Sequence, residues 1–432
     1  MPRLLPGIRA RGYRRGRRLR GRAMKLAHLP LPAHLSYCTN IHAGDSLAEV
    51  EASLDGFLPA IRAHLEEWRA LDPAAPFGLG LRLSAQAAES LLDEDALRAF
   101  AARLASLRAY VFTINAFPWG NFHQRPVKQA VYQPDWRSSR RLAYTLHCAR
   151  TLAALLPDGV EGSISTVPLG FAAGDRATAM ADCLPQLRQA VLELSLLMRA
   201  TGKEIVLALE PEPACLLENA ADTLLFFRRY WFADDNLAQL ARLAACSQPE
   251  ARRLAQRHLG VCYDVCHGAV EFEDPCAALS GLRDAGVRVA KIQLSCALRA
   301  EAMDPLVARQ LQSFDDGVYL HQVVRRGADG LRRHADLPQA LALPADAIQG
   351  EAWRVHCHVP LFWQAPPEAG LASTRDSLDA VLAMLSRQPV SAHLEVETYT
   401  WDVLPPQLRE IPKAQAIALE LHAVLKELRH ER

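Results

Sequence analysis

The sequence predicts an α/β protein folded as a TIM (β/α)8 barrel, with one β-hairpin inserted late in the chain. Three observations predict it. Short β-rich apolar runs alternate with long stretches whose apolar residues recur every three or four positions, the pattern of βα units around a parallel sheet. Ionisable residues collect at the C-terminal ends of those runs, where TIM barrels carry their reactive groups. The rival doubly wound sheet needs a glycine-rich phosphate turn after its first strand, and the segment Thr39 to Gly44 contains no GxGxxG.

In chain order, the expected strands are 35–40, 77–83, 110–115, 162–167, 205–210, 260–264, 287–294, 355–359 and 393–398. The expected helices lie at 46–71, 85–107, 138–155, 180–201, 219–230, 249–258, 275–284, 374–387 and 406–430. The strand candidates number one more than a barrel holds. Between Leu294 and Trp353 the rhythm changes. Runs 318–325 and 331–335 flank Gly327, Ala328, Asp329 and Gly330, a turn-prone stretch that reads as an antiparallel hairpin. Run 355–359 therefore either joins this insertion, placed at about 296–352, or replaces 287–294 in the barrel.

The 432 residues are half hydrophobic and 22% charged, which suits a globular chain and excludes a disordered or collagen-like one. Residues 1–23 hold nine arginines and no acid; subtracting them from the net charge of +1 leaves −8 for the remainder. This basic leader is read as sequence upstream of a natural start at Met24, leaving 24–432 as a single barrel domain. A body at −8 argues against a nucleic-acid partner, which wants a broad basic face. No run reaches the roughly 18 apolar residues of a membrane span, and no secretory signal stands at the start. Ten dispersed cysteines suit reduced thiols, so a cytoplasmic location is expected.

The candidate chemistry lies in five clusters. Glu210 and Glu212 close an apolar run two residues apart, the spacing that aims both at one face. Asp264 and His267 stand three apart at a strand-to-loop transition, and Asp and neutral His are good ligands for a divalent cation. Lys291 and Gln293 share a strand face and are placed on the substrate side. His356 and His358 offer one metal ligand and one acid–base group; position nearer the strand end favours His358 as the ligand and leaves His356 on the substrate side. His393, Glu395 and Glu397 stack on one face of the last run, where burial without a cation or mutual hydrogen bonds is costly. His42, Asn115, Trp119 and His123 follow the first and third runs and are assigned to substrate contacts.

The order Glu, Asp-x-x-His, Gln or His, Glu at successive strand ends resembles the xylose isomerase-like TIM barrels. The stretches HLSYCTNIHAG, VFTINAFPWGNFH, VKQAVYQPDW, GSISTVPLGF, LALEPEP, CYDVCH, KIQLS, YLHQVV, HVPLFW and HLEVETYTWDVLP more narrowly resemble EboE-type metabolite traffic proteins. The first resemblance implies a divalent cation, Mg²⁺, Mn²⁺ or Zn²⁺, on Glu210, Asp264, His358 or Gln293, and Glu395 or Glu397, with His358 and Glu397 the favoured members. It also implies isomerase or epimerase chemistry in which Glu210 or Glu212 and Glu395 or Glu397 form the proton-transfer pair and His267 orients the substrate. The second implies a small-molecule metabolite and protein partners encoded in the same operon. Glutamine at 293, where many relatives place histidine, and the inserted hairpin depart from that pattern.

Overall fold

The structure, a computed structural model, describes residues 23–123, 126–364, 370–406 and 409–429. The leader expected at 1–23 lies outside them except for Ala23.

Eight parallel strands form the barrel: β2 (Ala33–Tyr37), β3 (Phe77–Arg82), β4 (Ala109–Asn115), β5 (Gly162–Thr166), β6 (Ile205–Leu209), β7 (Leu259–Asp264), β8 (Val289–Leu294) and β14 (His393–Val396). The hydrogen-bonded order is β2-β14-β8-β7-β6-β5-β4-β3, so each strand lies beside its chain neighbour in the barrel. A parallel bridge between Cys38 and Gly80 brings the β2 end of the sheet to the β3 end and closes the cylinder. A two-residue strand, β1 (Lys25–Leu26), pairs antiparallel with β2.

Nearly every barrel-strand residue is buried, because helices cover the outer face and side chains fill the inner one. Many helices begin where the sequence provides a side-chain acceptor for the free backbone N–H groups. Ser46 and Glu49 form a reciprocal capping box on the helix Leu47–Glu67, and Asp175 caps the helix Arg176–Thr201, which Gly202 ends in a left-handed conformation. The stretch expected as one helix at 85–107 is two, Ala85–Ser90 and Glu94–Ser106, since Asp93 accepts from the N–H groups of Asp95 and Ala96 and restarts the chain. The unforeseen helix Asp234–Ala244 fills the gap between 230 and 249, with a left-handed Ala245 at its end.

The ambiguous ninth run is resolved by pairing. Val289–Leu294 lies parallel between β7 and β14, so it is the barrel strand. Ala352–Val355 instead pairs antiparallel with both 323–326 and 298–300. The expected hairpin forms with β10 (Val323–Gly327) against β11 (Gly330–His334). It belongs to a separate five-stranded sheet in the order β11-β10-β12-β9-β13, where β9 is Leu298–Ala300, β12 Ala352–Val355 and β13 Leu371–Ser373. This sheet leaves the barrel after β8 and returns before the helix Arg375–Leu385, placing its loops over the C-terminal mouth.

Candidate functional site

Inside the barrel, polar side chains occur in two successive layers. In the deeper one, Lys291 on β8 pairs with Glu395 on β14 at 2.5 Å, both fully buried. Ser165 accepts from the same amine at 3.2 Å, and Ser36 donates to Glu395 Oε2 at 3.3 Å. Gly80 makes room for this carboxylate, since a Cβ there would overlap Glu395 Oε2. Burial works against the Lys291 charge, but Glu395 outweighs it and raises the amine above its ordinary value.

The layer nearer the mouth is acidic and histidine-rich. Oxygens of Glu210, Asp264 and Glu397 lie within 4.8 Å of one another. Burial first, then mutual repulsion among these acids, pushes Glu210 and Glu397 well above the usual carboxylate range. Glu210 Oε2 and Asp264 Oδ2 have no hydrogen-bond partner. Glu397 Oε1 accepts from Asn40 at 2.6 Å and Asn115 at 3.3 Å. Asp264 Oδ1 caps the turn after β7, accepting from Cys266 N at 2.7 Å, His267 N at 3.2 Å and Ser295 Oγ at 2.6 Å. Its other oxygen is left facing the centre.

Three imidazoles complete the layer, and hydrogen bonding fixes their tautomers. His267 Nδ1 is 2.9 Å from the carbonyl of Pro211, and His358 Nδ1 is 2.9 Å from that of Glu397. A carbonyl only accepts, so both Nδ1 atoms carry the proton. His356 Nδ1 meets Gln322 Oε1 at 2.6 Å. The Gln322 amide orientation follows from its Nε2, which donates to Glu212 Oε1 at 3.2 Å and Pro213 O at 3.0 Å. With Nδ1 engaged, each ring turns its Nε2 toward the others: His267 to His356 at 3.1 Å and His356 to His358 at 3.3 Å. Burial depresses His356 well below its ordinary value and His358 to about 4, so neither supplies a proton between them at neutral pH. Asp264 Oδ2 stands 3.8 Å from His267 Nε2 and 4.0 Å from His358 Nε2.

Three imidazole nitrogens and a carboxylate oxygen gathered this closely are the donor types a divalent cation takes. Donors at the corners of a tetrahedron with metal–nitrogen bonds of about 2.0–2.1 Å lie about 3.3 Å apart, close to the two spacings seen here. The residues therefore fit a divalent cation. Four groupings have donor atoms within 4.8 Å of one another: Glu210, Asp264 and Glu397; Asp264, His267 and His358; Glu212, His267 and His356; and Cys266, His356 and His358.

The pocket above these groups holds about 560 Å³ of space, part of it continuous with solvent. Glu210, Glu212, His267, His356, Glu397 and Asn115 line it. His358 and Asp264 lie just behind this surface. The other expected site residues are placed elsewhere. His42 stacks on Phe57 at 4.2 Å and meets the Tyr37 hydroxyl, outside the pocket. Trp119 packs on Tyr144 and under Arg140, also outside it. His123 reaches the rim through Asn40 O at 2.7 Å and the Tyr319 hydroxyl at 2.5 Å. Glu395 and Lys291 are occupied with one another in the deeper layer. Gln293 receives the Cys262 thiol at 3.4 Å, and His393 bonds Ser163 at 2.7 Å deeper in the barrel. Tyr132, Gln322 and Tyr399 were not among the expected residues; only the motifs VKQAVYQPDW, YLHQVV and HLEVETYTWDVLP containing them stood out.

No protein-family model and no curated protein matches the sequence. Among solved structures, the chain is similar to the IolI protein with a binding zinc atom, at 11% identity over 92% of this chain and 98% of that one, TM-score 0.44. It is similar to a xylose isomerase domain protein from Planctomyces limnophilus at 12% identity over 93% and 99%, TM-score 0.42. A third is AsbF from Bacillus anthracis, a probable 3-DHS dehydratase, at 12% over 90% and 97%, TM-score 0.40. At these scores the barrel assignment rests on the chain's own strand order and closure. No helix among the described residues is long and apolar enough to cross a membrane.

Proposed function

We propose that this chain is a divalent-cation-dependent isomerase or epimerase acting on a small polyhydroxylated or carbonyl metabolite. The observation that carries the reading is the convergence of the His267, His356 and His358 Nε2 atoms, with the unpartnered Asp264 Oδ2 beside two of them. His267, His356, His358 and Asp264 would hold the cation, with Glu210 and Glu397 alongside. Nitrogen donors favour Zn²⁺ among Zn²⁺, Mn²⁺ and Mg²⁺. When bound, such an ion polarises a carbonyl or hydroxyl oxygen and stabilises developing negative charge.

The side chains supply the rest. Glu210 lines the pocket with Oε2 free of partners, so it is positioned to take a proton from carbon or oxygen. Glu212 is anchored by the Tyr132 hydroxyl at 2.5 Å and by Gln322, which suits it to orient a substrate hydroxyl. Asn40 and Asn115 fix Glu397 against the same space. The EboE-type motifs support a finer part of the proposal: a cytoplasmic role in metabolite traffic, with the molecule passed among proteins of one operon.

Metal analysis of purified protein, then NMR of candidate ketoses and polyols in D₂O, tests the reading. The expected result is at least one tightly held divalent cation per chain and exchange of a hydrogen beside a carbonyl, lost in Glu210→Gln. Failure to bind any divalent cation overturns it. Cation and metabolite binding without exchange leaves a carrier in place of an enzyme.

A further inference from the structure

The pocket is not uniformly polar. Its acidic and imidazole side comes from the ends of β6, β7, β12 and β14. Six further lining residues, Phe117, Pro118, Phe122, Val127, Val131 and Leu320, are apolar and come from the loop after β4 and from the inserted segment. Three tyrosines also line it, and their hydroxyls are engaged. Tyr132 donates to Glu212. Tyr319 donates to His123 Nδ1, because His123 Nε2 must give its proton to the Asn40 carbonyl. Tyr399 lies 3.5 Å from His356 Nε2. What these rings have left to offer is mainly their apolar faces.

Charge is equally one-sided. Among the described residues lining the pocket, Lys128 is the one cation, and its amine is spent on Tyr319 O at 2.7 Å and Asp336 at 2.8 Å. Arg82, whose guanidinium lies 5.4 Å from the Phe122 ring, donates instead to the carbonyls of Gly44 and Gly120. Among the described residues lining the pocket, a phosphate or carboxylate would find three glutamates, Glu210, Glu212 and Glu397, and no free donor cation.

We infer that the pocket takes an uncharged molecule in which a hydroxylated head is joined to an apolar alkyl or aryl substituent. The head faces the glutamates and imidazoles, and the substituent lies against Phe117, Phe122, Val131 and Leu320. This inference rests on the proposed function for the head's position and goes beyond it in the class of molecule. Each methylene taken from water onto such a wall is worth roughly fourfold in affinity.

Calorimetry on the full-length zinc-loaded protein tests it with methyl and butyl β-D-glucopyranoside, glucose and glucose 6-phosphate as probes. Butyl glucoside is expected to bind at least tenfold more tightly than methyl glucoside, and glucose 6-phosphate no more tightly than glucose. Leu320→Asp, or the milder Val131→Ser where the first does not fold, should erase the butyl preference with bound zinc unchanged. Equal methyl and butyl affinities, tighter binding of the phosphate, or no binding of any neutral probe overturns the inference. Metal content of the same samples separates the failures: zinc held without a chain-length preference sinks only this inference, whereas no bound divalent cation of any kind sinks the proposed function as well.

Discussion

Glu395 and Glu397 stand two residues apart at the end of the last barrel strand, both buried, yet their surroundings are opposite in kind. Around Glu395 the chain supplies everything a buried carboxylate needs: the Lys291 amine, a serine hydroxyl and the space left by Gly80. Around Glu397 it supplies two asparagine amides and two further acids, with a cluster of histidine rings beside them. Charge neutralised inside the protein belongs to the architecture. Charge left without a complement marks where something from outside is to bind, because burying it alone is costly.

The largest effect should come from breaking the neutral layer. Lys291→Met strands Glu395 without its cation and is expected to cost about 3–5 kcal/mol in urea unfolding. Lys291→Met combined with Glu395→Leu should recover most of that loss, since an apolar pair of similar volume replaces a buried ion pair at little net cost. If the single and double variants are equally unstable, the layer's stability does not depend on charge balance.

A smaller effect sharpens the other side. Gln322 holds the proton-bearing nitrogen of His356 and ties it to Glu212 and Tyr132. Gln322→Leu removes the acceptor that fixes the tautomer, and zinc affinity by competitive chelator titration should fall about 10–100-fold. Wild-type affinity in this variant would mean that the imidazoles are ordered by packing alone.

The smallest effect concerns a carboxyl outside both layers. Glu420 is buried with no cation and accepts only from Leu361 N at 3.0 Å and Thr398 Oγ1 at 2.7 Å. Burial pushes it up to about 7, above its unfolded value of 4.5. The folded protein thus binds more protons than the unfolded chain between those values, so Glu420 favours folding at low pH and this contribution is lost as pH rises through 7. Glu420→Gln keeps an acceptor oxygen and removes the titration. Its stability relative to wild type should improve on going from pH 4.5 to 8, by on the order of 1 kcal/mol in paired thermal melts. A pH-independent difference would place the Glu420 carboxyl in an ordinary solvated state.

Much of this was legible in the sequence because it is local. All eight barrel strands lie within the apolar runs expected to hold them or within two residues of those runs, since a strand buried on both faces writes a continuous signal. The two-residue spacing of Glu210 with Glu212 and of Lys291 with Gln293 placed polar groups inside the cylinder. Following a strand run does not by itself bring His42 and Trp119 into the pocket. Lying beyond their strand ends, they follow loop geometry, and the nearest rings, Phe57 and Tyr144, took them out of the pocket.

The sequence by itself determined the alternation of strands and helices, the inserted hairpin and the set of side chains able to face inward, because periodicity depends only on near neighbours along the chain. Tertiary structure alone decided which charges cancel. Lys291 meets Glu395, Asn115 meets Glu397 and Gln322 meets His356 only after the barrel closes and the second sheet folds across its mouth. No local pattern encodes contacts between residues so far apart in the chain, and those contacts separate a neutralised layer from one left open to a cation.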